Sequence, residues 1–129
     1  PPPPVEMVTI DLDESVLRFV TDTWDIPDSG KPALDAAVKT LKETGAMEVY
    51  VVGHTDSTGR RAWNDTLSMN RAQSVVKYLV AHGIDPSQIK KVEGVADTQP
   101  RADNATTEGR AQNRRVTVKA VVPIKVPVK

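Results

Sequence analysis

The apolar positions of this chain fall into segments of two different periods. Leu34, Ala37, Val38 and Leu41 recur at i, i+3, i+4 and i+7, the buried stripe of an amphipathic helix. The spacing predicts a helix from Asp28 or Ser29 to Thr44, with Gly45 where a left-handed residue ends a helix. Ala72, Val75, Val76, Leu79 and Val80 form a second stripe. It predicts a helix over Met69 to His82, with Ser68 as N-cap and Gly83 as stop. Residues 60–66 read as a separate short helical piece. Between the two stripes, Met47 to Val52 is almost continuously apolar, the pattern of a strand covered on both faces or nearly so. Ile89 to Val95 and the alternating Arg115 to Val122 read as further strands. Asp85-Pro86-Ser87 is a turn before the first of these, and a short helix from Thr106 or Thr107 through Asn113 precedes the second. Val5 to Val20 alternates loosely and predicts one or two short strands near 6–11 and 15–20.

Strands alternating with helices imply a two-layer α/β sandwich. Pro1 to Pro4 cannot pair in a sheet and reads as the end of a linker. Residues 5–122 read as one domain, and 123–129 as a frayed tail.

Aromatic residues are few (Phe19, Trp24, Tyr50, Trp63, Tyr78), so the core must be aliphatic. Formal net charge is zero, which removes any global pull toward nucleic acid or an anionic membrane. The charges are unevenly spread. Glu6, Asp11, Asp13, Glu14, Asp22, Asp25 and Asp28 crowd the first thirty residues, whereas residues 109–129 carry Arg110, Arg114, Arg115, Lys119, Lys125 and Lys129 and no acid. These are either two solvated ends or two segments that lie side by side and offset each other. With no cysteine there is no disulfide or thiol chemistry. No apolar run approaches the ~20 residues of a membrane span, so membrane attachment has to come from segments outside this chain.

Chemistry concentrates at Gly53-His54-Thr55-Asp56, where the apolar strand ends, and at Arg71. Asp56 falls at the carboxyl edge of a strand, where α/β sheets collect ligands; its ordinary alternative is an Asx-turn to Thr58 or Gly59. Arg71, three residues after the expected cap Ser68, opposes the helix dipole yet suits a bidentate carboxylate. Its ordinary alternative is an exposed arginine paired with Asp65 or Asp56. One fixed anion and one fixed cation suit a zwitterionic ligand. His54 lacks a second nearby His or Cys, so it reads as structural, with no metal and no cofactor. No serine elbow accompanies it, and no enzyme is expected. Asn64 and Asn113 could hold backbone or touch ligand.

The segments GHTDSTG (53–59), Asn64, LSMNRAQSVVKYL (67–79), GI (83–84), IKKVEGVADTQP (89–100), ADN (102–104) and EGRAQNRRVTV (108–118), in that order, resemble the OmpA-like, peptidoglycan-binding domain family. The resemblance implies a mixed sheet with helices packed mainly on one face. It also implies a periplasmic domain of a Gram-negative outer-membrane or envelope-anchored protein that binds the diaminopimelate of the peptidoglycan stem peptide without catalysis. On this resemblance Asp56 meets the ligand ammonium and Arg71 its carboxylate. Asn64 matches the family asparagine, Leu67 lines the pocket, and Thr55 and backbone N–H groups near Met69 add contacts. The family's F-x-F-D pattern aligns with Phe19-Val20-Thr21-Asp22, which leaves Asp22 and Thr23 beside the ligand and puts Thr21 in place of the second aromatic. A competing expectation is a protein-interaction module for other envelope proteins or a second copy of the chain.

Overall fold

A computed structural model describes residues 4–124, so most of the expected linker end (1–4) and tail (123–129) lies outside the described residues; Pro123, expected to begin the tail, is instead paired with Val5 in the sheet. Strand β1 (Val5–Asp13) leads into a single helical turn, α1 (Glu14–Leu17). Helix α2 (Lys31–Glu43) precedes β2 (Glu48–His54). The long α3 (Arg61–Ala81) crosses to β3 (Ile89–Gly94), and α4 (Thr107–Asn113) precedes β4 (Arg115–Pro123). The sheet order is β1-β4-β2-β3. β1 and β2 each pair antiparallel with β4, and β3 runs parallel to β2, so the sheet is mixed.

One face of the sheet carries Val49 and Val51 of β2 and Val116, Val118, Ala120 and Val122 of β4, all buried against Leu34, Leu41, Val75 and Leu79 of α2 and α3. The core is aliphatic, as composition requires. Residues between them, such as Tyr50 and Val52, are only half-buried on the opposite face. The expectation of a strand covered on both faces or nearly so is therefore corrected to one face buried and the other half-buried. The helices leave that face open, and its apolar residues are shielded only by neighbouring side chains.

Three other expectations change. First, the strand expected near 15–20 is absent. Asp13 accepts a hydrogen bond from the Ser15 N–H at 2.9 Å and caps α1, and Arg18 leaves it in the left-handed region. Secondly, residues 60–66 and 69–82 are one helix, capped at Arg60 rather than Ser68. Its buried stripe runs Asn64, Leu67, Ser68, Arg71, Ala72, Val75, Leu79. The period is continuous, but its first half is polar. Thirdly, Ser68 is a fully buried mid-helix residue. Its hydroxyl donates to the Asp65 carbonyl and accepts from the Ala96 N–H at 3.2 Å, tying α3 to the loop after β3.

Helix α2 ends as its sequence predicts. Gly45 takes φ +69°, and the Ala46 and Gly45 N–H groups return to the Leu41 and Lys42 carbonyls. The acidic and basic segments do lie side by side: β1 pairs with β4, Arg114 meets Glu14 at 2.6 Å, and Arg115 lies 4.0 Å from Asp11.

Candidate functional site

The carboxyl end of β2 lies against the first half of α3, and the two approach closely because neither Gly53 nor Gly94 has a side chain. A Cβ on Gly53 would fall inside the Ser68 carbonyl, and one on Gly94 would strike the Met69 backbone nitrogen. This contact sets the loop after β2 beside the polar stripe of α3. A cavity of about 490 Å³ opens there. Its floor and walls come from Thr55, Asp56, Thr58 and Gly59 of the loop, and from Trp63, Asn64, Leu67 and Arg71 of α3. Phe19, Thr21 and Asp22 close one side, and Glu14, Arg110 and Arg114 another.

Asp56 is only 8% exposed. One carboxylate oxygen accepts from the Thr58 N–H at 2.8 Å, the Asx-turn that stood as its ordinary alternative, and the other accepts from Arg114 Nη1 at 2.5 Å. Burial alone raises its pKa; the Thr58 N–H and the Arg114 guanidinium outweigh burial and hold the carboxyl below its ordinary value. Asp56 is thus an anion with its charge already partly met.

Arg71 is 7% exposed and has no carboxylate partner among the described residues. The expected surface pairing fails on both counts. Asp65 pairs with Arg61 instead, and Asp56 with Arg114. Nor does Arg71 lie in the first turn of its helix, so the dipole consideration does not apply to it. Nε donates to the Thr23 carbonyl at 2.7 Å and Nη2 to the Val20 carbonyl at 3.3 Å, while the guanidinium carbon sits 4.6 Å from the Phe19 ring centre. Burial lowers its pKa, opposed by Glu14 and Asp22, though an arginine stays protonated throughout the ordinary pH range. Among the described residues its Nη1 group makes no hydrogen bond and Nη2 makes only one, which leaves three N–H donors for a ligand, two of them on Nη1.

Thr55 and Asn64 are buried and serve the loop first. Thr55 Oγ1 donates to the Asp56 carbonyl at 2.8 Å, and Asn64 Nδ2 donates to the Thr58 carbonyl at 2.9 Å. Leu67 lines the cavity as expected. Asp22 also lines it, in a left-handed conformation (φ +59°), and accepts from Trp63 Nε1 at 3.1 Å. Thr23 is not a lining residue; it supports the site through the carbonyl that holds Arg71. Met69 is the residue the structure removes from the expected set. It lies mid-helix, so its N–H belongs to the helix ladder rather than to a free N-terminus, and it does not line the cavity. Asn113, fully buried, resolves toward structure: its amide clamps the 101–104 loop.

Residue-level reasoning missed Glu14, Arg110, Arg114 and Trp63. Arg114 is the important one, since it joins Asp56 to Glu14. Its signal was the Arg114-Arg115 doublet at the junction of α4 and β4, two adjacent cations beside a run of acids that begins the chain.

A family model described as the OmpA family matches residues 18–114. The chain is 41% identical over 103 residues to outer membrane protein A of Bordetella avium, covering 80% of this chain and 53% of that protein. It is 37% identical over 113 residues to the peptidoglycan-associated lipoprotein of Pseudomonas aeruginosa, covering 83% and 66%. It thus spans only about half to two thirds of the length of these relatives. Among solved structures, the cell wall anchor of the T6SS from Pseudomonas aeruginosa superposes with a TM-score of 0.80 at 30% identity, over 93% of this chain and 87% of that one. The periplasmic domain of Helicobacter pylori MotB follows at 0.74 and 26%, over 91% and 76%.

Proposed function

This chain belongs to the OmpA family, and on that premise we propose that it is a non-catalytic domain that binds peptidoglycan through the diaminopimelate of the stem peptide. It would anchor an outer-membrane or envelope-attached protein to the cell wall from the periplasm. The relatives named as a peptidoglycan-associated lipoprotein and a cell wall anchor favour the polymer; the cavity favours the residue within it.

The observation that carries the proposal is the state of Arg71. It is a buried guanidinium with no carboxylate of its own, in the same cavity as a buried carboxylate that is held ionised. Burying an unpaired charge costs several kcal/mol unless a partner arrives. The distal centre of diaminopimelate supplies that partner. Its carboxylate meets the free N–H groups of Arg71, and its ammonium meets Asp56, which shares its charge with Arg114. Asn64 and Thr55 keep the loop carrying Asp56 in place, Leu67 packs on the ligand methylenes, and Asp22 contributes further negative potential. The balance of Arg71, Arg110 and Arg114 against Asp56, Glu14 and Asp22 suits a ligand of no net charge.

The test is co-sedimentation with purified sacculi. The domain pellets with diaminopimelate-type wall, and Asp56→Ala and Arg71→Ala each lose about 2–5 kcal/mol of binding, because each leaves a desolvated charge unpaired. Lysine-type wall, which lacks the distal carboxylate, binds more weakly. Full retention of binding by both variants refutes the assignment.

A further inference from the structure

Trp24 and Trp63 are the chain's only tryptophans, and the recognition of a diaminopimelate head uses neither. Each is 38% exposed. Their ring centres lie 6.2 Å apart with planes tilted by 54°, so the indoles form an open V rather than a closed stack. Trp63 is anchored through its ring, and Trp24 through the residue before it. Trp63 Nε1 donates to Asp22, and Trp24 follows Thr23, whose carbonyl is fixed by Arg71 and whose N–H and hydroxyl both return to the Val20 carbonyl. Trp63, Leu67 and Arg71 are successive i, i+4 positions on α3, one row along the helix, and all three line the cavity.

We propose that this tryptophan pair is a stacking platform for the amino sugar to which the stem peptide is joined, so that the domain holds glycan and peptide together. The proposal rests on the diaminopimelate assignment for the adjoining cavity. A pyranose ring presents axial C–H groups on one face and hydroxyls around its rim. That face buries against an indole while the hydroxyls stay in water, which matches a half-exposed ring better than a closed pocket would. The reach also agrees. Arg71 and Trp63 are eight residues apart, about 12 Å along the helix axis. Diaminopimelate is the third stem residue, and three extended residues cover about 10 Å. With the distal carboxylate on Arg71, a stem running along the row of Leu67 brings its sugar end to Trp63 and then to Trp24.

The experiment compares two soluble ligands, the free diaminopimelate stem peptide and the same peptide on its N-acetylglucosaminyl–N-acetylmuramic acid disaccharide, by calorimetric titration. The disaccharide-peptide is expected to bind about tenfold tighter than the free peptide, the size of one aromatic stacking contact. Trp24→Leu, which lies outside the cavity wall, removes that difference and leaves the affinity for free peptide within about twofold. The melting curve of the variant, unchanged from wild type, shows that the fold is kept. Equal affinity of the wild-type domain for the two ligands overturns the platform while leaving the peptide site standing. A Trp24→Leu variant that weakens both ligands alike overturns it too, and assigns the indole to the peptide. Binding of neither ligand overturns the diaminopimelate assignment and the platform with it.

Discussion

His54 shows how a residue beside a binding loop can be structural and still titrate. The residue is 4% exposed, Nε2 lies 3.4 Å from the Thr117 hydroxyl, and Nδ1 has no partner among the described residues. Burial, then the positive charge of Arg115, pushes its pKa down to about 4; Asp11 opposes this and Lys119 adds to it. The folded protein therefore keeps the imidazole neutral where the unfolded chain, at the ordinary 6.5, takes up a proton. The sign follows from that difference. Stability from this group is complete above pH ~6.5, falls as pH drops toward 4, and is level below. Urea unfolding at pH 7 and pH 5 is expected to show a loss in the wild type that His54→Gln lacks. An identical pH slope in both proteins would mean that the imidazole is solvated in the folded state. The sequence indicated the structural role, because no metal-binding partner accompanied this histidine. It gave no sign of the depressed pKa, which comes first from burial of the ring and then from the guanidinium of Arg115 across the β2–β4 pair.

At the scale of elements, α3 marks the boundary of what the sequence discloses. Its apolar half, Ala72 to Leu79, was legible as a helix; its polar half was not, because periodicity was sought in apolar residues. Asn64, Ser68 and Arg71 continue the same stripe with side chains buried against a site rather than a core. The loop residues were legible as a group, since Gly53 to Gly59 carries turn chemistry and a carboxylate together. The close approach that sets them against α3 was not legible, because nothing in a glycine's neighbours states what backbone will pass over it. Gly53 is therefore the residue on which the geometry turns. Gly53→Ala places a methyl inside the Ser68 carbonyl, and only displacement of α3 can relieve it. The expected loss is about 1–3 kcal/mol of folding stability, typical of overpacking, read as a lower urea midpoint at unchanged slope. Sacculus binding should fall further than stability does, because the same displacement separates Arg71 from Asp56.

Across the whole molecule, the acidic and basic ends meet over the sheet, and part of that meeting reaches the site. Arg114, the C-cap of α4, pairs through Nε and Nη2 with Glu14 of α1 and donates from Nη1 to Asp56 of the loop after β2. One guanidinium thus joins three parts of the chain that are distant in sequence. The uneven charge distribution offered the pairing of the ends as one of two readings; only the fold reveals that they pair and that one of the pairs terminates at Asp56. The consequence concerns acid. Asp56 must be ionised to hold an ammonium, and its carboxyl sits low because the Thr58 N–H and Arg114 outweigh burial. Removing Arg114 leaves burial less opposed, so the carboxyl of Asp56 rises. Wild-type domain is then expected to hold diaminopimelate-type sacculi as pH falls until it passes through the depressed pKa of Asp56, and Arg114→Gln to release them at a higher pH. At pH 8 the variant's Asp56 is ionised and has lost a competitor for the ligand ammonium, so binding there should be retained. Sacculi have titrating carboxylates of their own, but these are common to both proteins, and the separation between the two co-sedimentation curves isolates Asp56. Coincident curves would show that Arg114 supports the loop mechanically and has no part in keeping the anion charged.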